Sequence, residues 1–139
     1  MLEETKTARG RKLVGRRGTI DTVEDPPVFL NVYSGHAQLE FIEPIQRVFA
    51  TYLANSSRKI FVFIDAVELR SYDPEYRQQW VTWVDKHRAQ IGGLHVLVRS
   101  KLVEMGINLA RVALGPMMHA YSDRAEFERV YQQCKRDGA

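Results

Sequence analysis

Three polar residues stand where two apolar runs of strand length end. Asp65 lies near the end of the run 60–67, and Arg99 and Ser100 directly follow the run 94–98. Such runs are typical of strands buried on both faces, and the carboxyl ends of parallel strands border the crevice in which open α/β proteins bind ligands. The sequence therefore predicts that Asp65, Arg99 and Ser100 converge on one surface. Asp65 would there bind a ligand, pair with Arg99, or accept hydrogen bonds from the following loop.

A second group of polar residues lies in the loop between the first run and a helix. The helix start is well marked, because Asp73 suits the N-cap, Pro74 the first helical position and Glu75 the first turn. Loops held by a rigid scaffold often carry recognition residues. We therefore expect a partner-binding surface formed by Arg70, Ser71, Tyr72 and Asp73, together with Asp65, Arg99 and Ser100.

The sequence predicts neither a metal site nor a reactive thiol. His95 lies near the start of its strand and Asp65 near the end of another, so in parallel strands roughly 10 Å or more separates them. His95 and His119 alone are too few ligands for a secure metal site. The single cysteine, Cys134, falls on the apolar stripe of the last helix, where a buried structural thiol is expected. No nucleophile–base pair or phosphate loop is recognisable in the sequence, so we assign no catalytic residue and no cofactor.

The order of the apolar patterns predicts the elements that position these residues. Period-two alternation in 18–23 and 28–33, with Pro26-Pro27 between them, indicates a hairpin. Helical and strand-like segments then alternate, which gives the order ββαβαβαβα. Because parallel strands require crossovers, we expect an α/β fold with a mixed, mainly parallel sheet of about five strands and four helices. Trp80 and Trp83 share one helix face and are expected to pack on the sheet rather than to anchor a partner.

Length and charge suggest a division of the chain into two parts. The 139 residues suit one domain, which we expect over residues 17–139. Of the first 17 residues six are Lys or Arg and two are Glu, so residues 1–16 are predicted to form a basic, flexible arm. Such arms can tether nucleic acid, but this one has no aromatic side chain to stack on bases. A solvated tail is the preferred interpretation, with nucleic-acid tethering as an alternative.

Composition also bears on the expected location. No stretch approaches the roughly 18 apolar residues of a membrane span, and the N-terminus lacks the apolar core of a signal peptide. A single cysteine agrees with a reducing compartment. We therefore expect a cytoplasmic protein.

The segment from Lys59 to Ser100, in this order of elements, resembles the STAS family and its SpoIIAA-like relatives, modules named after sulfate transporters and anti-sigma factor antagonists. The resemblance extends over roughly residues 17–135. The family's sharpest motif is an Asp-Ser pair at the start of the helix after the central strand, whose Ser a partner kinase phosphorylates in the antagonist branch. Asp73 matches the acidic position, but Pro74 stands in place of the serine. Ser71 precedes the acidic residue and is therefore out of register.

The resemblance implies a non-enzymatic module that binds another protein, such as a regulator, a kinase-like protein or a scaffold, or binds itself as a homodimer. We expect it to act in bacterial signalling or assembly through the Arg70–Asp73 loop, without the usual serine phosphoswitch. Some SpoIIAA-like relatives also resemble lipid-binding SEC14 domains. A small-ligand or lipid-binding domain, or a small enzyme, that uses Asp65, Arg99 and Ser100 is therefore the alternative.

Overall fold

The fold is built on a seven-stranded sheet whose strands lie side by side in the order in which they occur in the chain. The computed structural model describes residues 2–138. The strands are β1 (Glu3–Lys6), β2 (Gly10–Val14), β3 (Gly18–Asp25), β4 (Val28–Ala37), β5 (Ile60–Tyr72), β6 (Ile91–Val98) and β7 (Met118–Tyr121). The helices are α1 (Ile42–Ala54), α2 (Pro74–Lys86), α3 (Lys101–Leu114) and α4 (Arg124–Gly138).

The direction of the strands changes once across the sheet. Strands β1 to β4 pair antiparallel and β4 to β7 pair parallel. Each parallel step is made by one crossover helix, as parallel pairing requires. The predicted mixed α/β fold with four helices is therefore confirmed. The sheet has two more strands than the five expected, and these make half of its pairings antiparallel.

Helices cover both faces of the sheet and bury two separate apolar clusters. The larger cluster lies under α1, α2 and α3 and includes Val62 of β5. The smaller one lies under α4 and includes Phe63 of β5 and Phe127 of α4. Successive residues of a strand point to opposite faces, so the continuous apolar run of β5 supplies both clusters. Among residues 2–138, no helix has both the length and the apolar character that a membrane crossing requires.

A flexible arm was expected over residues 1–16, but residues 3–6 and 10–14 form the strands β1 and β2. Leu13 of β2 is fully buried and lies opposite the fully buried Ile20 of β3. The basic side chains are partly neutralised, since Arg11 forms ion pairs with Glu4 at 2.9 Å and with Glu24 at 2.8 Å. The prediction of flexibility rested on charge composition. It took no account of the buried side chain of Leu13 or of the ion pairs that Arg11 forms with neighbouring strands.

The buried side chain of Leu13 gives the first prediction. Leu13→Ala should lower the free energy of unfolding by about 2–5 kcal/mol, because it leaves a cavity between β2 and the helices. Thr5→Ala, at an exposed position of β1, is the matched control and should change stability by no more than about 0.5 kcal/mol. Urea denaturation of the three proteins measures both effects. Equal stability of the Leu13 variant and the parent would contradict the packing of β2.

Candidate functional site

Three side chains meet at the carboxyl ends of β4 and β5. His36 and Ser71 are direct partners in the parallel pairing of these strands. His36 Nδ1 lies 2.7 Å from Ser71 Oγ, and His36 Nε2 lies 2.8 Å from Asp73 Oδ1. Because a carboxylate can only accept, Nε2–H donates to Asp73. The other ring nitrogen, Nδ1, shares a hydrogen bond with Ser71 Oγ. We call this group the Ser71–His36–Asp73 relay.

Asp73 marks the start of α2 as predicted, but its carboxylate does not cap the helix. It is occupied by His36 and by the backbone N–H of Leu39, which donates to Asp73 Oδ2 at 2.9 Å. The hydrogen bond from His36, supported by that from Leu39, lowers the pKa of Asp73. The Asp73 backbone N–H also donates to Ala37 O at 2.9 Å. Asp73 therefore fastens the start of α2 to the segment that follows β4.

The relay has the order of groups found in serine hydrolases: a hydroxyl, an imidazole and a carboxylate. Ligand and substrate sites are normally concave. Ser71, His36 and Asp73 do not line the cavity between the sheet and the helices α2 and α3. Their hydrogen bonds connect the end of β4 with the end of β5 and with the residue before α2.

The sequence placed residues 70–73 in a loop, but Arg70, Ser71 and Tyr72 are the last residues of β5, and Asp73 alone separates β5 from α2. We call these four residues, which end β5 and lead into α2, the Arg70–Asp73 loop. Arg70 is exposed. Tyr72 is half-buried against α3, where a side chain at Gly106 would collide with its hydroxyl group. A glycine within this helix is thus explained by the close approach of Tyr72. The loop presents Arg70 to solvent and holds its other three side chains against the protein.

The structure does not bring Asp65, Arg99 and Ser100 into one site. Asp65 projects to the α4 face of the sheet, where its Oδ2 lies 2.9 Å from Arg124 Nη1, and its Oδ1 accepts the Val67 N–H at 3.2 Å. Ser100 caps α3 by accepting the Val103 N–H at 3.4 Å, as expected for an N-cap, and Arg99 is exposed. Asp65 therefore pairs with Arg124 and not with Arg99, which was one of the alternatives. Sequence patterns do not reveal the pair with Arg124, because this residue belongs to α4, which covers the face of the sheet opposite to α1, α2 and α3.

The two strand histidines lie side by side under α4. His95 and His119 are partners in the β6–β7 pairing, and their rings stack with centroids 4.8 Å apart. The ring of Phe63 stacks on the other side of His95 at 4.4 Å, and Tyr121 Oη lies 2.8 Å from His95 Nδ1. Burial, helped by repulsion from His119, lowers the pKa of His95 to about 4. The described residues contain no cluster of three side chains that could ligate a metal ion.

A cavity of about 130 Å³ lies between the sheet and the pair of helices α2 and α3. Its walls are mostly apolar and include Trp80 and Trp83, which pack on the larger cluster as predicted. Two donor atoms of lining residues, Arg77 Nε and Trp80 Nε1, are buried without a hydrogen-bond partner among the described residues. Asp65 points to the other face of the sheet, so the cavity is not the crevice expected from the sequence.

The lowered pKa of His95 predicts how stability depends on pH. An unfolded histidine has a pKa of about 6.5, so between that pH and about 4 the unfolded chain binds a proton that the folded chain excludes. The free energy of unfolding should therefore fall as the pH drops from about 6.5 to about 4, with no further loss from His95 below that range. His95→Gln should flatten this part of the profile. Urea denaturation at several pH values measures the slopes, and an NMR titration of His95 with a pKa near 6.5 would contradict the assignment.

Comparisons with known proteins address the fold. Neither a protein-family model nor a curated protein sequence matches the chain. Among solved structures, the chain is similar to an uncharacterized protein of the DUF3478 family from Shewanella loihica PV-4, described as having a SpoIIAA-like fold. The TM-score is 0.59 at 15% identity, over 85% of this chain and 97% of that one. An anti-sigma factor antagonist from Mycobacterium paratuberculosis matches with a TM-score of 0.55 at 14% identity, over 83% of this chain and 94% of that one.

These likenesses extend along nearly the whole length of both solved chains. At such low identity they concern the backbone arrangement alone. The resemblance drawn from the sequence is confirmed at this level. The chain therefore has the SpoIIAA-like, STAS-type fold.

Proposed function

We propose that this protein is a non-enzymatic STAS-like module that binds another protein in bacterial signalling or assembly, in the cytoplasm. The observation that carries the proposal is the exposed Arg70, which lies near the end of β5 on backbone ordered by pairing with β4 and by the Ser71–His36–Asp73 relay. A loop ordered before binding loses less conformational entropy when the partner arrives. The similarity of the fold to an anti-sigma factor antagonist supports a regulatory role.

The proposed module works without the serine phosphoswitch that the resemblance to the antagonist branch of the STAS family implies. Pro74 occupies the first position of α2 and has no hydroxyl group. Ser71 is partly buried, and its hydroxyl is hydrogen-bonded to His36. We therefore assign Ser71 a structural role in shaping the loop. Hydrolysis of an activated ester that disappears in Ser71→Ala would contradict both this role and the absence of catalysis.

The contact surface is tested by placing a photo-crosslinking amino acid at position 70 in the native host and identifying the captured partner by mass spectrometry. Arg70→Glu should then weaken binding of the purified partner by at least about tenfold in calorimetry, because a rim charge becomes repulsive. Its stability should change by no more than about 0.5 kcal/mol, since Arg70 is exposed. Arg129→Glu, an equal charge reversal at an exposed position of α4, is the control and should bind normally. Equal affinity of both variants would exclude the loop as the interface.

A second candidate function, the binding of a small ligand, is favoured by the cavity beneath α2 and α3. Its volume of about 130 Å³ is close to that of engineered apolar cavities, of about 150 Å³, that bind benzene. The unpaired Trp80 Nε1 and Arg77 Nε would suit a ligand with an apolar body and one acceptor oxygen. A small aromatic carboxylic acid has this chemistry.

Benzoate, compared with benzene, tests this candidate. Ligands that bind only the folded state raise its melting temperature, so both compounds should do so at millimolar concentration, benzoate more strongly. Ala110→Leu places a larger side chain in the cavity wall and should abolish both shifts. If the parent melts at the same temperature with and without either compound, the cavity does not bind ligands of this class.

A further inference from the structure

The outer face of α3 carries an unpartnered apolar stripe. Among the described residues, the exposed large apolar side chains all lie on this helix: Leu102 at 50% exposure, Met105 at 63%, Leu109 at 58% and Val112 at 86%. The inner face of α3 is also apolar and is buried against the sheet through Val103, Gly106, Ala110 and Leu114. The helix is therefore apolar on both sides, although its own domain covers only one. The stripe exposes on the order of 400 Å² of apolar surface. This is about the size of the largest apolar patch on a typical monomer, which often has a function.

We infer that the stripe binds the same stripe of a second copy of this chain, with the two α3 helices antiparallel. Its spacing is three, four and three residues, which is the a/d spacing of two heptads. This spacing reads the same in both directions, as a two-fold symmetric interface requires. A two-fold axis level with Ile107 sets Leu102 opposite Val112 and Met105 opposite Leu109 of the second copy.

The charged side chains of α3 favour an antiparallel over a parallel arrangement of the two helices. At 100° per residue, the polar side chains of α3 lie along one flank of the stripe: Lys101, Glu104, Asn108 and Arg111. An antiparallel pair sets these flanks beside each other, with Glu104 of one copy nearly level with Arg111 of the other. A parallel pair would set each polar flank beside the opposite flank of the second helix, whose exposed residue is the apolar Ala113. The antiparallel arrangement therefore matches polar with polar and opposite charges with each other.

The same flank argues against a membrane surface as the occupant. Helices that lie in a membrane interface carry mainly Lys and Arg on their polar face. The flank of α3 instead combines a carboxylate and an amide with its two cations, and Glu104 forms an ion pair with Lys101 at 3.7 Å. Two stripes together would bury on the order of 800 Å² of apolar surface, at the low end for specific interfaces. The dimer should therefore be weak, with a dissociation constant in the micromolar range.

Sedimentation velocity from low micromolar to submillimolar concentration tests the inference. The parent should shift from monomer to dimer, and Met105→Glu/Leu109→Glu should stay monomeric over this range with an unchanged circular dichroism spectrum. Gln132→Glu, an exposed position of α4, controls for added charge and should dimerise like the parent. Arg70→Glu should also dimerise normally. Dimerisation through the stripe and partner binding through the Arg70–Asp73 loop are therefore tested independently.

Disulfide formation tests the direction of the pair in a Cys134→Ser background. Met105→Cys/Leu109→Cys should form covalent dimers on oxidation, because the two positions face each other across an antiparallel pair. Met105→Cys alone should form them only in a parallel pair, which would overturn the proposed orientation. A parent that stays monomeric at all concentrations would overturn the inference. Stripe-dependent sedimentation of that monomer with phosphatidylserine–phosphatidylcholine vesicles would assign the stripe to a membrane instead.

Discussion

The alternation of side chains along β5 is the constraint on which the rest of the structure depends. Val62 and Ala66 point to the helices α1 to α3, whereas Phe63 and Asp65 point to α4. Both faces of this strand must be covered, so the chain has to supply helices to each side of the sheet. Near its end, β5 pairs irregularly with β4. A register shift between Gly35 and His36 precedes the pairing of His36 with Ser71. The same strand thereby supplies two cores and one member of the relay.

The Ser71–His36–Asp73 relay holds the Arg70–Asp73 loop in place by hydrogen bonds between polar side chains. His36 comes from the end of β4, Ser71 from the end of β5, and Asp73 directly precedes α2. His36 is hydrogen-bonded to both Ser71 and Asp73, and the Leu39 N–H donates a further hydrogen bond to Asp73 Oδ2. Partly buried polar networks of this kind favour one geometry over its alternatives. Recognition by the loop would depend on that rigidity as much as on Arg70.

The sequence predicted what local periodicity and helix signals encode. It indicated the order of the elements from β3 onward and the packing of Trp80 and Trp83 on the sheet. It could not predict contacts that depend on which face an element reaches. Asp65 was assigned to a crevice because strand ends meet there, yet the parity of β5 turns it toward Arg124. The role of His36 could not be predicted, because its partners Ser71 and Asp73 lie 35 and 37 positions away in the sequence.

The exposed first strand has a consequence for the behaviour of the whole sheet. All four residues of β1 are exposed, three of them are charged, and β1 forms one edge of the sheet. An open edge offers unpaired backbone groups to any other extended chain, and charged side chains on a short edge strand oppose such pairing. The charged side chains of Glu3, Glu4 and Lys6 thus oppose aggregation through this edge. Replacing them with β-branched apolar residues would turn the edge of this sheet into a template for fibre growth.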